Sequence, residues 1–233
     1  MRVLVTRPLE DARETQARLA SRGHEAIVAP LLSVRFHDGP AIDLTGVQAI
    51  LATSANGVRA VARRTERRDL ALFAVGPQTA RTALRAGFSN VKSADGDADA
   101  LARAVPAWAS VASGDLLHAS GVEGEGRLAK ALSAAGFKVR TEFLYDVAAI
   151  SELPKPIVDE LAGDTLDAVL LFSPRSARVF AKCVTDAGLT SHAARLLGIC
   201  ISEATAAALA PLNIANIRIA QRPNQVSLVG CLN

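Results

Sequence analysis

The sequence has no CxxC pair, no HxxH or HExxH pattern, no glycine-rich phosphate loop and no long apolar run. Each absence removes a class of chemistry. No stretch approaches the roughly 20 apolar residues that a bilayer-spanning helix needs, so a membrane protein of that kind is excluded. The four histidines, His24, His37, His118 and His192, are dispersed and form no metal-ligand spacing. No GxGxxG follows the first β-rich run, and no P-loop or GxSxG elbow occurs. Metal, nucleotide and acyl-transfer chemistry all lose their usual signatures, and no cofactor is expected.

The three cysteines, Cys183, Cys200 and Cys231, are odd in number, and each lies in an apolar run. That pattern predicts buried, reduced thiols and a cytoplasmic protein. Met1-Arg2-Val3-Leu4-Val5-Thr6 enters a strand pattern at once, which leaves no room for a signal peptide. Charge is nearly balanced, with a net of +3. The densest basic stretch, Arg63-Arg64-Thr65-Glu66-Arg67-Arg68-Asp69, contains acids and has no aromatic neighbours for base stacking. It reads as a solvated helix end, and no nucleic-acid partner is expected. The small basic excess suits a small, multiply anionic ligand.

Half of the 233 residues are hydrophobic, enough for well-filled cores, and the length favours two lobes. Short β-rich runs alternate with alanine-rich helical stretches. Ten strands are predicted, at Arg2–Thr6, Glu25–Ala29, Val47–Thr53, Ala71–Val75, Asn90–Ser93, Asp115–Ala119, Lys138–Phe143, Asp167–Phe172, Leu197–Ile201 and Asn216–Ala220. Crossover-length segments between them predict an α/β fold with parallel sheets flanked by helices.

The pieces recur in order. Leu19-Ala20-Ser21-Arg22-Gly23 is echoed by Leu132-Ser133-Ala134-Ala135-Gly136 at a shift of 113, which also carries Leu4 onto Leu117 and Val34 onto Val147. Ser54 and Arg59 meet Ser173 and Arg178 at 119; Thr79-Ala80 meets Thr205-Ala206, and Asn90-Val91-Lys92 meets Asn216-Ile217-Arg218, at 126. Slowly growing shifts indicate a duplicated ancestor with loop insertions. Chance similarity among alanine-rich helices is the competing explanation, and ordered matches outside alanine weigh against it. A cut near residue 112 would give tandem domains. Crossings at Pro30-Leu31-Leu32-Ser33-Val34 and at its copy Phe143-Leu144-Tyr145-Asp146-Val147 would instead mix the halves of the repeats.

Ligands of parallel α/β sheets collect beyond the carboxyl ends of strands, where helix N-termini point. Four such junctions are rich in small hydroxyl residues and glycine: Thr53-Ser54-Ala55-Asn56-Gly57, Gly76-Pro77-Gln78-Thr79, Ser173-Pro174-Arg175-Ser176 and Ser202-Glu203-Ala204-Thr205. Their capping side chains and free backbone N–H groups can bind carboxylates, although plain helix capping uses the same residues. A fifth junction, around Ser120-Gly121, offers a loop of close approach. Arg7, at the end of the first strand, either pairs locally or clamps a carboxylate. Tyr145 is the sole tyrosine; it is either a core residue or, facing a cleft between the lobes, a proton donor to a leaving hydroxyl.

Together Val3-Leu4-Val5-Thr6-Arg7-Pro8, Thr53-Ser54-Ala55-Asn56-Gly57-Val58, Ala74-Val75-Gly76-Pro77-Gln78-Thr79-Ala80, Tyr145-Asp146-Val147 and Phe172-Ser173-Pro174-Arg175-Ser176-Ala177 resemble the uroporphyrinogen-III synthases, and the resemblance runs on to Ala220-Gln221-Arg222-Pro223. It implies a cofactor-free lyase that converts hydroxymethylbilane into uroporphyrinogen III. The substrate loses its terminal hydroxyl, the last ring attacks through its substituted carbon, and a spiro intermediate reopens and closes inverted. The resemblance puts Tyr145 nearest the departing hydroxyl. It makes Thr79 and Thr205 paired threonines of the site, and Ser54, Ser173 and Ser202 rim positions. Thr53, Asn56, Gly57, Gly76, Ser120, Gly121, Ser176 and Arg7 complete the expected binding set. The stretch Leu116-Leu117-His118-Ala119-Ser120-Gly121 departs from the family pattern, since many relatives carry a basic residue within it.

The resemblance also implies two similar lobes joined by a two-strand linker. One would comprise residues 1–33 and 149–233 and the other 37–145, with crossovers at 30–37 and 143–149. A cytoplasmic monomer is expected. Rival readings are a non-catalytic binder of a small anion, which in periplasmic form would need a signal peptide, and a regulatory relative, which would often carry a DNA-binding extension.

Overall fold

A computed structural model describes residues 1–124 and 126–232 of the chain. In chain order the elements are β1 (Arg2–Val5), α1 (Leu9–Ala20), β2 (Glu25–Val28), β3 (Leu32–Phe36), β4 (Val47–Ala52), α2 (Ala55–Arg63), β5 (Ala71–Ala74), α3 (Pro77–Arg85), β6 (Val91–Ser93), α4 (Ala98–Ala104), β7 (Asp115–Gly121) and α5 (Arg127–Ala134). There follow β8 (Val139–Ala149), α6 (Lys155–Ala162), β9 (Ala168–Leu171), α7 (Pro174–Asp186), α8 (Thr190–Ala193), β10 (Leu197–Cys200), α9 (Glu203–Ala207), β11 (Asn216–Ile219) and α10 (Gln225–Gly230).

Two compact units result: Met1–Ser33 with Ala148–Asn233, and Val34–Val147. The first holds a sheet of order β11-β10-β9-β1-β2 whose neighbours are all parallel. Its central strands are buried on both faces, as helices on either side require. Val3, Leu4 and Val5 expose nothing, yet they serve two cores. Leu4 packs with Phe180 of α7, while Val3 and Val5 pack with Leu19 of α1 and Leu228 of α10.

The second unit holds β3-β8-β7-β4-β5-β6, parallel from β8 to β6. Its core likewise splits between two faces. Ile50, Leu72 and Leu117 lie with Val58 and Val61 of α2 on one side, and Leu51, Phe73 and Leu116 with Leu101, Leu128 and Leu132 on the other.

The strand registers carry the internal repeat. Leu4 stands beside Val169, and Leu117 beside Ile50. Ile199 stands beside Leu170, and Phe73 beside Leu51. Gly198 stands beside Ile217, and Leu72 beside Val91. Every one of these pairs maps onto its counterpart by the sequence shifts of 113, 119 and 126. Chance similarity among helices would not reproduce strand registers. Each sheet therefore takes its first βαβ unit from one repeat and three strands from the other.

All ten predicted strands are present, most ending a residue or so early at their carboxyl ends because Thr6, Thr53, Phe172 and Ile201 already belong to the turns. β6 ends as predicted, β7 runs two residues further, to Gly121, and the larger differences lie at the crossovers. Leu32–Phe36 is an eleventh strand, and β8 runs on to Ala149. Backbone bonds Ile150 N–H to Leu31 (3.1 Å) and His37 N–H to Leu144 (2.8 Å) run in opposite senses, so β3 and β8 are antiparallel. Arg35 and His37 both reach Asp146, at 3.0 and 3.1 Å, and hold its carboxyl below its ordinary range, His37 most strongly.

The basic stretch is more structural than a solvated helix end. Arg64 donates to the Pro40 carbonyl at 2.7 Å, and Arg68 to those of Ala62 and Ala86 at 2.9 and 2.8 Å. Cys183 and Cys200 are buried, but Cys231 is half-buried, because it stands just past α10 near the surface. Burial pushes the Cys200 thiol up to about 12. No helix among the described residues is long and apolar enough to cross a membrane.

Phe180 is wholly buried. Phe180→Ala is expected to cost about 3–5 kcal/mol of unfolding free energy by urea titration. A loss below about 1 kcal/mol would mean that this core is not packed as described.

Candidate active site

Four helices begin at the carboxyl ends of their strands with one pattern. Ser54, Gly76, Ser173 and Ser202 are N-caps in extended backbone, and Gly57, Thr79, Ser176 and Thr205 are the third helical residues, all buried. Three of the caps close through their side chains. The Gly57 amide donates to Ser54 Oγ at 3.1 Å, the Ser176 amide to Ser173 Oγ at 3.1 Å, and the Thr205 amide to Ser202 Oγ at 3.3 Å. Hydroxyl pairs reinforce two of them: Ser173 with Ser176 at 2.7 Å, and Ser202 with Thr205 at 3.0 Å. Gly76 has no side chain to close the fourth, so the first turn of α3 presents amides without a side-chain cap. A carboxylate can take that place.

Tyr145 joins this rim in the Val34–Val147 unit. Its hydroxyl lies 2.8 Å from Ser54 Oγ. A β-bulge aims it there. Ser120 stands beside Phe143 and Gly121 beside Tyr145, so β8 carries one extra residue. In a regular strand neighbours face opposite sides. Here Leu144 and Tyr145 both enter the same core, which the bulge permits.

Gly57 and Gly121 allow two close approaches. A Cβ on Gly57 would stand 2.6 Å from the Ala119 carbonyl oxygen of β7, and one on Gly121 would stand 2.9 Å from Tyr145 Cε2. Ser120 is buried and donates to the Gly121 carbonyl at 3.1 Å. Asn56 accepts from Arg59 at 2.9 Å, and Thr53 is half-buried at the end of β4. Tyr145, Ser54, Gly57 and Gly121 thus form one cluster.

Arg7 takes the local course of its two alternatives. It is buried, donates to Gln225 Oε1 at 2.8 Å, lies 3.5 Å from Asp11 and stacks 4.2 Å from the Phe172 ring centre. With these local partners Arg7 reads as a structural arginine. Phe36 was not among the sequence candidates, although its ring centre lies 6.4 Å from that of Tyr145 and Arg63 stacks on it at 3.9 Å. Only the alternation Leu32-Ser33-Val34-Arg35-Phe36 signalled a strand that could bring it there. No group of three or more histidine, cysteine or acidic residues among the described residues could hold a metal ion.

The family model for uroporphyrinogen-III synthase HemD matches residues 13–230. The chain belongs to the uroporphyrinogen-III synthase family. As a member it is a cyclising lyase of tetrapyrrole biosynthesis. The fold agrees. The uroporphyrinogen-III synthetase of Helicobacter pylori is 15% identical with a TM-score of 0.63, covering 100% of this chain and 98% of its own. A mutant uroporphyrinogen III synthase of Thermus thermophilus is 17% identical with a TM-score of 0.55, covering 100% and 97%. None of the curated proteins matches by sequence.

His118, on β7, is 4% exposed, with neither ring nitrogen bonded among the described residues. Burial lowers its pKa below the ordinary histidine value. In the folded state it resists protonation, while the unfolded chain protonates it below about pH 6.5. Its contribution therefore favours folding above that pH and is lost as pH falls through the lowered folded value. Urea unfolding at pH 7 and pH 5 is expected to show a smaller loss of stability in His118→Leu than in the wild type; equal losses would contradict this.

Glycine to alanine inside a helix ordinarily stabilises by about 1 kcal/mol. Gly57→Ala is expected to do the reverse, because the obstructing atom belongs to the backbone of β7. A raised melting temperature would refute the close approach.

Proposed function

We propose that this lyase closes hydroxymethylbilane to uroporphyrinogen III with Tyr145 as the proton donor to the departing hydroxyl. The observation that carries this reading is the Ser54–Tyr145 hydrogen bond, at 2.8 Å. Ser54 Oγ already accepts the Gly57 amide. Its own proton is then free to go to the phenol oxygen, which turns the Tyr145 proton outward toward the substrate. The leaving hydroxyl takes that proton and departs as water. Its pyrrole ring supplies the electrons, so the phenol assists a departure that is already favoured.

The harder task is to choose between closures. Direct closure gives the uninverted ring, and attack through the substituted carbon gives the spiro intermediate. A preference of about a thousandfold corresponds to roughly 4 kcal/mol of differential transition-state binding. The carboxylates of the substrate offer handles for that selection. In our reading the first turn of α3, at Gly76 and Thr79, takes one of them on its uncapped amides, and Ser173, Ser176, Ser202 and Thr205 line the corresponding rim of the other unit. Thr53, Asn56 and Ser120 belong to the Tyr145 side of the set. Arg7 is left out because its local partners occupy it. We further read the protein as a cytoplasmic monomer without a nucleic-acid partner. The last of these is supported by guanidinium groups of the basic stretch that are committed to backbone carbonyls.

Tyr145→Phe should slow uroporphyrinogen III formation about a hundredfold without abolishing it, measured as initial rate per folded molecule. Wild-type rates in a folded variant would remove Tyr145 from the mechanism. Thr79→Ala should reduce turnover while its melting temperature stays close to wild type. A collapsed melting temperature with normal turnover per folded molecule would make Thr79 a structural cap only.

A further inference from the structure

The Tyr145 ring is enclosed by features that the reaction itself does not require. The bulge between Ser120 and Gly121 places Gly121 beside Tyr145. A Cβ there would meet the ring at Cε2 (2.9 Å) and Cζ (3.0 Å), so the ring occupies the space that a side chain at position 121 would need. The Val122 amide also donates to the Tyr145 carbonyl at 2.9 Å, which ties the same two segments together. Another side of the ring faces Phe36, tilted by 54° at 6.4 Å between centres. Phe36 is itself held from outside by the Arg63 guanidinium, 3.9 Å from its ring centre. Arg35 and His37, its chain neighbours, are pinned to Asp146, the residue after Tyr145. Glycine in a strand often marks a bulge or a close approach, and at Gly121 both occur, the approaching group being the Tyr145 ring.

We propose that Gly121 and Phe36 are positioning residues that hold the Tyr145 ring between the β7 backbone and the Phe36 ring, so that its hydroxyl meets Ser54. This rests on the reading of Tyr145 as proton donor. Gly121 then serves the site by the room it leaves, not by touching substrate. Phe36 serves as a wall that stops the ring from swinging away from α2. An added methyl at Gly121 must push the ring by several tenths of an ångström. Removal of the Phe36 ring lets it drift the other way. Either shift breaks the short contact with Ser54 that orients the phenol proton.

Tyr145 is the only tyrosine, so labelling tyrosine with ¹³C at Cζ gives a single resonance that reports this side chain alone. We expect Gly121→Ala and Phe36→Leu to displace that resonance. Both should lower kcat for uroporphyrinogen III formation by roughly tenfold, with KM changed less than about twofold. Phe36→Leu keeps most of the apolar volume, so it carries the same readouts if Gly121→Ala folds poorly. A displaced resonance with wild-type kcat would show that ring orientation is irrelevant and overturn the proposal. An unmoved resonance in both variants would overturn the contacts themselves. Tyr145→Phe, measured alongside, separates the two levels. If it retains the wild-type rate, the proton-donor reading fails; if it is slow while Gly121→Ala and Phe36→Leu are normal, only the positioning role fails.

Discussion

The hydrogen bond between Ser54 and Tyr145 can form only if three backbone segments are fixed at once. Ser54 must stand in extended backbone at the end of β4, with its hydroxyl closing the first turn of α2. The α2 backbone must lie against β7, which glycine at position 57 alone permits. And β8 must carry its extra residue, or Tyr145 would face away from the core that α2 covers. A 2.8 Å contact between two short-reach groups tolerates little error in any of these. The site is therefore a consequence of sheet register and helix capping more than of any loop.

The internal repeat explains both the symmetry of this arrangement and its limits. Ser54 and Ser173 occupy equivalent positions and cap equivalent helices with the same geometry. Gly76 and Ser202 are equivalent too, yet one cap is left without a side chain and the other is closed. Tyr145 has Leu32 as its counterpart, and Ser120 has Arg7. Some of the differences between the two halves lie at the carboxyl ends of strands. The polar chemistry that these differences create is found with Tyr145 in one unit, while Arg7 became a buried structural arginine in the other.

Much of the fold was legible because parallel strands buried on both faces are nearly continuous apolar runs, as in Val3-Leu4-Val5 and Ala168–Leu171. The four capped junctions were legible for a different reason: serine before a helix has a specific backbone job. The bulge was not legible. Nothing in Phe143-Leu144-Tyr145 says which two of three neighbours will share a face, because that depends on the partner strand. Phe36 escaped notice because its half-polar strand is short and belongs to the antiparallel pair, outside the βαβ rhythm. The burial of His118 without a bonded partner among the described residues was not legible, because it follows from tertiary packing alone. Arg7 shows the opposite limit, since an arginine at a strand end looks the same whether it faces a ligand or a neighbouring helix.

Every role proposed for these residues serves selective closure of a linear tetrapyrrole with inversion of one ring. The direct measurement is to supply enzymatically generated hydroxymethylbilane to the wild-type protein and determine the ratio of uroporphyrinogen isomers formed. Type III in large excess over type I is the predicted result. Type I alone, at the rate seen without protein, would contradict the central claim.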